Sequence, residues 1–105
     1  MGRNGIYYSP MSVEQTSNEQ ISAMLHRIAD LLREQNAGQY RIRAYERAAE
    51  SVEKLDRAVA DVYLEGGKQK LLGIGGIGES LAEIIGEYLE TGRSGTLESL
   101  EKQAS

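Results

Sequence analysis

The most informative candidate for chemistry is a glycine-rich segment in the second half of the chain. Four glycines fall within six residues, in the order Gly73-Ile74-Gly75-Gly76-Ile77-Gly78. Read as Gly-x-Gly-x-x-Gly, the segment matches a dinucleotide-binding fingerprint, but that fingerprint needs a strand before it and a βαβ unit around it. Neither the residues before it nor the 27 residues after Gly78 show a strand pattern. We therefore interpret Gly76-Ile77-Gly78 as a hairpin between two helices.

A hairpin of this kind can bind an anion through its backbone. Glycine permits positive φ and lets a ligand approach the main chain closely. The first amides of the helix that follows have no intrahelical partners, so a phosphate is favoured there. We expect the amides of Gly75, Gly76, Ile77 and Gly78 to supply such a site. A tight interhelical turn without a ligand is the alternative.

Two pairs of basic residues are candidates to support this site. Arg43 and Arg47 are one helical turn apart, and Lys68 and Lys70 precede the hairpin. Such side chains bind phosphate oxygens without reading base sequence. Each arginine is followed three residues later by a glutamate, so ion pairs within one solvated helix face are the alternative. The pattern indicates weak contact with DNA backbone.

The helix after the hairpin carries an acidic face. Its glutamates are spaced by four, four and three residues: Glu79, Glu83, Glu87 and Glu90. Glu79 would lie at the mouth of the phosphate site and repel an anion. A helix end contributes only ~0.3–1 kcal/mol to such binding, so one carboxylate could cancel it. The same face could contact a protein partner, which gives a second hypothesis of another class.

Composition limits the partners further. The net charge is −4; ten Lys and Arg balance ten Asp and Glu up to Leu72, and two oppose six Glu after it. Contact with phosphate should therefore be local and modest. The absence of Cys excludes disulfides, thiolate zinc sites and cysteine nucleophiles. No apolar stretch approaches the ~20 residues of a membrane span, and no signal peptide is evident. We expect no membrane partner and a cytoplasmic location.

Helical periodicity supplies the elements that position these groups. Ser17 and Gln20 form a candidate capping box before the first helix, which should end near Asn36. A second helix carries Arg43 and Arg47, a third stops at Gly66-Gly67, and Lys68 to Leu72 could add one turn. The helix after the hairpin ends at Thr91-Gly92, and a last short one follows. These features predict an all-α, compact bundle of four to five short helices. It forms one domain over residues 18–105, after a flexible tail over residues 1–17.

Several of these segments together carry a family resemblance. They are Ile28-Ala29-Asp30-Leu31-Leu32, the stretch RIRAYERAA at 41–49, and the pattern GIG…LAE…LETG at 76–92. In this order and spacing the chain resembles the N-terminal, lyase-type helix-hairpin-helix domain of family X DNA polymerases over residues 18–102. The resemblance implies four packed helices, binding to phosphate backbone and a setting in DNA repair.

In some members the resemblance also implies removal of a 5′-deoxyribose phosphate through a lysine Schiff base. Here Ile84 stands at the position of that lysine, and Ser80 stands at a phosphate-binding lysine. Ser80 therefore joins the candidate phosphate contacts by resemblance. Gly75 replaces the proline usual before the hairpin, and the polymerase palm has no counterpart in these residues. We predict that the chain is not an enzyme.

The resemblance further implies a monovalent cation, Na⁺ or K⁺, at the backbone carbonyls of Leu72, Ile74 and Ile77, with no other cofactor. Two hypotheses follow. The favoured one is a non-catalytic module that binds DNA weakly and without sequence preference. The other is a protein-interaction module that kept the fold and lost both DNA binding and lyase activity.

Overall fold

All regular structure in the described part of the chain is helical. The computed structural model describes residues 13–104. A short 3-10 helix, Val13–Gln15, precedes five α-helices: α1 (Asn18–Glu34), α2 (Gln39–Lys54), α3 (Val59–Leu71), α4 (Glu79–Thr91) and α5 (Gly95–Ala104). No strand occurs within residues 13–104, and no helix there is long and apolar enough to cross a membrane. The predicted all-α bundle is confirmed.

The first helix begins where the capping box predicts. The Ser17 hydroxyl accepts a hydrogen bond from the Gln20 amide at 3.1 Å, and the Gln20 side chain accepts one from the Ser17 amide at 2.8 Å. These bonds satisfy amides that the start of a helix leaves without partners. At the other end, α1 stops at Glu34 and Asn36 takes a positive φ of 60°, which turns the chain toward α2.

The pair α1 and α2 makes the most extensive helix contact in the domain. Ala48 and Ala49 on α2 are fully buried, and their small side chains allow the two helices to approach closely. The larger side chains buried between the helices and their neighbours include Ile21, Leu25, Ile28, Leu32 and Val52. Burial of each such side chain contributes ~1.5–3 kcal/mol to folding. This packing fixes the position of α2 and of the arginines on it.

The third helix contains the predicted break. Gly67 has a φ of 64° and a ψ of −153°, so the helical turn at Lys68–Leu71 is offset from the part that starts at Val59. α3 then packs on α4, where Gly86 lies against the ring of Tyr63. A side chain at Gly86 would begin 3.4 Å from that ring. The close approach of α3 and α4 holds the connection between them in a narrow turn.

The folded part of the described chain starts earlier than the predicted boundary at residue 18. Thr16 is buried, and Val13 packs against the core. The 3-10 helix contacts α3, so residues 13–17 dock on the domain. The rest of the predicted tail, residues 1–12, lies outside the described residues, as does residue 105. A single apolar residue at Val13 gives no periodicity, which is why sequence reasoning placed this segment in the tail.

Candidate nucleic-acid interface

The glycine-rich segment forms a tight turn between α3 and α4. The Ile74 amide donates to the Leu71 carbonyl at 3.0 Å, and the Ile77 amide donates to the Ile74 carbonyl at 3.1 Å. Ile77 is buried, so its side chain anchors the turn in the core. The prediction that its amide binds phosphate is wrong, because that amide already donates to the Ile74 carbonyl. The segment is therefore a helix-hairpin-helix connection and not the strand-helix unit of a dinucleotide site.

One glycine of the turn, Gly76, is required by both conformation and contact. Its φ is 89°, in the region that L side chains rarely adopt. A Cβ there would lie 2.5 Å from the Ser51 hydroxyl and 3.4 Å from Cγ of Arg47, both on α2. The hairpin is thus in close contact with α2 one helical turn beyond Arg47. Sequence reasoning missed Ser51, although it lies four residues after Arg47 on the same helix.

The start of α4 presents backbone donors without acceptors. Gly78 is the residue before the helix and makes no side-chain capping bond, because it has no side chain. The first helical bond runs from the Ala82 amide to the Gly78 carbonyl at 2.8 Å. Within residues 13–104, the amides of Glu79, Ser80 and Leu81 donate to no carbonyl or side chain. These three amides are available to a ligand oxygen.

A surface groove of about 480 Å³ follows the hairpin. Its walls come from α2, the turn and the first turn of α4: Ala44, Arg47, Leu72, Ile74, Gly75, Gly76, Ile77, Gly78 and Leu81. The structure thus brings the predicted hairpin residues and Arg47 together at one place. Ser80 is exposed on the first turn of α4 but does not line this groove. The same holds for three other predicted phosphate contacts, Arg43, Lys68 and Lys70.

The arginines of α2 lack the ion pairs that were the alternative reading. Glu46, which could have paired with Arg43, is bound instead by Arg33 of α1. Across the described residues, no carboxylate lies within 4 Å of Arg43 or Arg47, and both side chains are exposed. Neither guanidinium is therefore ion-paired, but only Arg47 lines the hairpin groove. Arg43 lies one turn away on α2, where both arginines share a surface depression with Glu46 and Glu50.

The two lysines before the hairpin differ from each other. The Lys68 ammonium lies 2.8 Å from a carboxylate oxygen of Glu83 and 3.9 Å from one of Glu79. Its hydrogen bond to Glu83 raises the pKa of Lys68 and lowers that of Glu83. Lys70 is exposed and has no carboxylate within 4 Å among residues 13–104. Of the two, Lys68 has its charge compensated by α4.

The acidic face of α4 is largely engaged within the chain. Besides the pair with Lys68, Glu87 accepts the Gly95 amide at 3.3 Å at the start of α5. Glu90 accepts the Tyr63 hydroxyl at 2.8 Å, which raises the pKa of that phenol. These carboxylates tie α4 to α3 and α5. Sequence reasoning placed them on one face but did not find these partners, because each partner lies on another helix.

Two further features concern predictions taken from the resemblance. Ile84 is half-buried against the core, so the side chain at that position packs as an apolar residue. At the hairpin, the Ile74 carbonyl already accepts the Ile77 amide, whereas no backbone amide in the described chain donates to the carbonyls of Leu72 or Ile77. These two carbonyls fit a cation ligand by their chemistry. The monovalent cation itself stays a prediction.

Comparison with known proteins places this arrangement in a family. The sequence profile of the helix-hairpin-helix domain family matches residues 16–94, which is most of the chain. The chain is also similar to the DNA polymerase/3′-5′ exonuclease PolX of Bacillus subtilis (strain 168), with 29% identity over 83 residues. That alignment covers 79% of this chain and 14% of the relative. The chain therefore belongs to the helix-hairpin-helix domain family, and its domain is of the polymerase X type.

Proposed function

We propose that this domain is a non-catalytic module that binds the phosphate backbone of DNA weakly and without sequence preference. The observation that carries the proposal is the groove lined by Arg47, Gly78 and Leu81, which brings a guanidinium without an ion pair to the start of α4, where three backbone amides are free. Arg43, one turn away on α2, extends the cationic surface. The relative's printed name, a DNA polymerase and exonuclease, supports DNA as the partner. DNA repair is the proposed setting, on the basis of the resemblance alone.

The chemistry of the groove explains the absence of sequence preference. Backbone amides and arginines bind phosphate oxygens, and such contacts carry no base information. The groove is otherwise lined by glycines and aliphatic side chains. Only a few cationic groups contribute, so affinity should be low. It should fall as salt rises, because binding releases counterions from the DNA. The net charge of −4 also lowers the affinity for DNA, because the chain as a whole repels the phosphates.

The absence of an amine at the expected place supports a non-catalytic role. Schiff-base chemistry needs a neutral amine beside the sugar C1′. Ile84 offers none, and Lys68 is held protonated by its hydrogen bond to Glu83, as its raised pKa indicates. Lys70 precedes the hairpin instead of lying on α4. The protein-interaction alternative has weaker support, because Glu83, Glu87 and Glu90 already bond within the chain.

A fluorescence-anisotropy titration tests the proposal. Single-stranded, duplex and gapped DNA of two unrelated sequences are titrated at low and moderate salt. We expect binding to all sequences alike, with each phosphate contact adding ~0.7–0.9 to the slope of log K against log salt. The double variant Arg43→Gln/Arg47→Gln should weaken binding and flatten that slope by up to twice this amount.

A charge-matched control separates local contact from net charge. Arg27 pairs with Glu101, and Arg93 pairs with Glu98, so neither contributes to the hairpin groove. The variant Arg27→Gln/Arg93→Gln has the same net charge as the test variant. It should bind DNA nearly as well as the wild type. Equal loss in both variants, or no binding of any DNA by the wild type at low salt, contradicts the proposal.

A further inference from the structure

The amides at the start of α4 lie beside a cluster of three charges. Glu79 is the first residue of α4, and Glu83 follows one turn later. Both carboxylates approach the ammonium of Lys68, at 3.9 and 2.8 Å. Two negative charges and one positive charge leave the cluster with a net charge of −1. The positive charge of Lys68 is therefore already compensated by the two carboxylates that hold it in place.

This net charge matters because DNA offers two kinds of phosphate. An internal phosphodiester carries one negative charge, whereas a terminal phosphate monoester carries about 1.5 to 2 at neutral pH. The additional charge of a terminal phosphate would be repelled by the cluster. Among the residues that line the groove, Arg47 supplies the only cationic side chain. One guanidinium matches one phosphodiester charge and leaves the second charge of a monoester unmatched.

We propose that the Glu79–Lys68–Glu83 cluster makes the hairpin selective for internal phosphodiesters over 5′-terminal phosphates. This inference rests on the proposed function, since it assumes that the groove binds DNA phosphate. The carboxylates act in two ways. Glu79 repels a dianion placed at the α4 amides, and together with Glu83 it keeps Lys68 from contacting such a ligand. The domain therefore binds along a strand and not at its 5′ end.

Paired oligonucleotides test the selectivity. A short oligothymidine is prepared with a 5′-phosphate and with a 5′-hydroxyl, each labelled at the 3′ end, and both are titrated by anisotropy at low salt. The wild type should bind the phosphorylated form no more tightly than the hydroxyl form. The variant Glu79→Gln/Glu83→Gln frees Lys68, so it should acquire a preference for the 5′-phosphate of roughly two- to fivefold, the range for exposed charge pairs.

Two further variants make the result specific. Adding Lys68→Met to the double variant should abolish the acquired preference, because the freed ammonium is its source. Glu34→Gln removes a carboxylate from α1, away from the hairpin groove, and should leave the ratio of the two affinities unchanged. Far-UV circular dichroism of each variant verifies folding.

The possible failures are distinguishable. A wild type that prefers the 5′-phosphate overturns the selectivity while leaving DNA binding intact. A double variant with no acquired preference shows that the cluster is not the determinant. No binding of either oligonucleotide contradicts the proposed function itself.

Discussion

Replacing Gly76 by alanine is the sharpest perturbation of the hairpin. Gly76 has a φ of 89°, and a Cβ there would lie 2.5 Å from the Ser51 hydroxyl. A left-handed conformation costs a residue with a Cβ ~1–2 kcal/mol. Ser51 can relieve the contact by rotating its side chain, at a further cost of ~0.5–1.5 kcal/mol. We expect Gly76→Ala to lower the free energy of unfolding by about 1.5–3.5 kcal/mol.

Urea denaturation followed by circular dichroism measures this change. Gly75→Ala is the matched control, because Gly75 has no positive φ and a Cβ there would meet no atom within 4 Å. It should change the unfolding free energy by less than ~0.5 kcal/mol. Adding Ser51→Ala to Gly76→Ala removes the contact between the new Cβ and the Ser51 hydroxyl. The double variant should therefore regain the stability lost to that contact but not the stability lost to the positive φ. If the two single glycine variants unfold alike, the described hairpin geometry is wrong.

Three further predictions concern acid, the amine and the helix cap. Stability should fall as the pH drops below the ordinary carboxyl value of 4.5, because Glu83 has a lowered pKa and loses its bond to Lys68 on protonation. Denaturation at pH 7 and pH 3 should show a smaller fall for Lys68→Met. Borohydride trapping with a 5′-deoxyribose-phosphate oligonucleotide should give no adduct, since Ile84 has no amine; an adduct lost in Lys68→Ala or in Lys70→Ala would refute this. Ser17→Ala should cost ~0.5–2 kcal/mol of unfolding free energy through its capping bonds, whereas Ser99→Ala, at an exposed position within α5, should not.

The helices were predictable because their signals are local. The capping box at Ser17, the break at Gly66-Gly67 and the stop at Gly92 each depend on residues within one turn. The hairpin was predictable for the same reason, since four glycines within six residues favour a tight turn over a helix or a strand. The buried residues of α2 likewise recur at the helical period: Ile42, Tyr45, Ala48, Ala49 and Val52.

The pairing of charges was not predictable from spacing. Glu46 lies three residues after Arg43, which favours an ion pair within α2, yet Arg33 of α1 binds it. The position of Lys68 before the hairpin predicts a contact with phosphate, but the carboxylate of Glu83 on α4 binds its ammonium across the hairpin. The ion-pair partner of a charged residue depends on which helices pack together and on how far long side chains extend. The spacing of residues along the sequence gives neither.

The central claim, that the free amides at the start of α4 bind DNA phosphate together with Arg47, is tested most directly by amide chemical shifts. A ¹⁵N-labelled sample is titrated with a short single-stranded oligonucleotide at low salt, and the spectra are repeated with a second sequence. Binding at the groove predicts the largest shifts at Gly76 through Leu81 and at Arg47, in the same residues for both sequences. If the amide signals of Gly76 to Leu81 do not shift, the account is contradicted, whether other residues shift or none does.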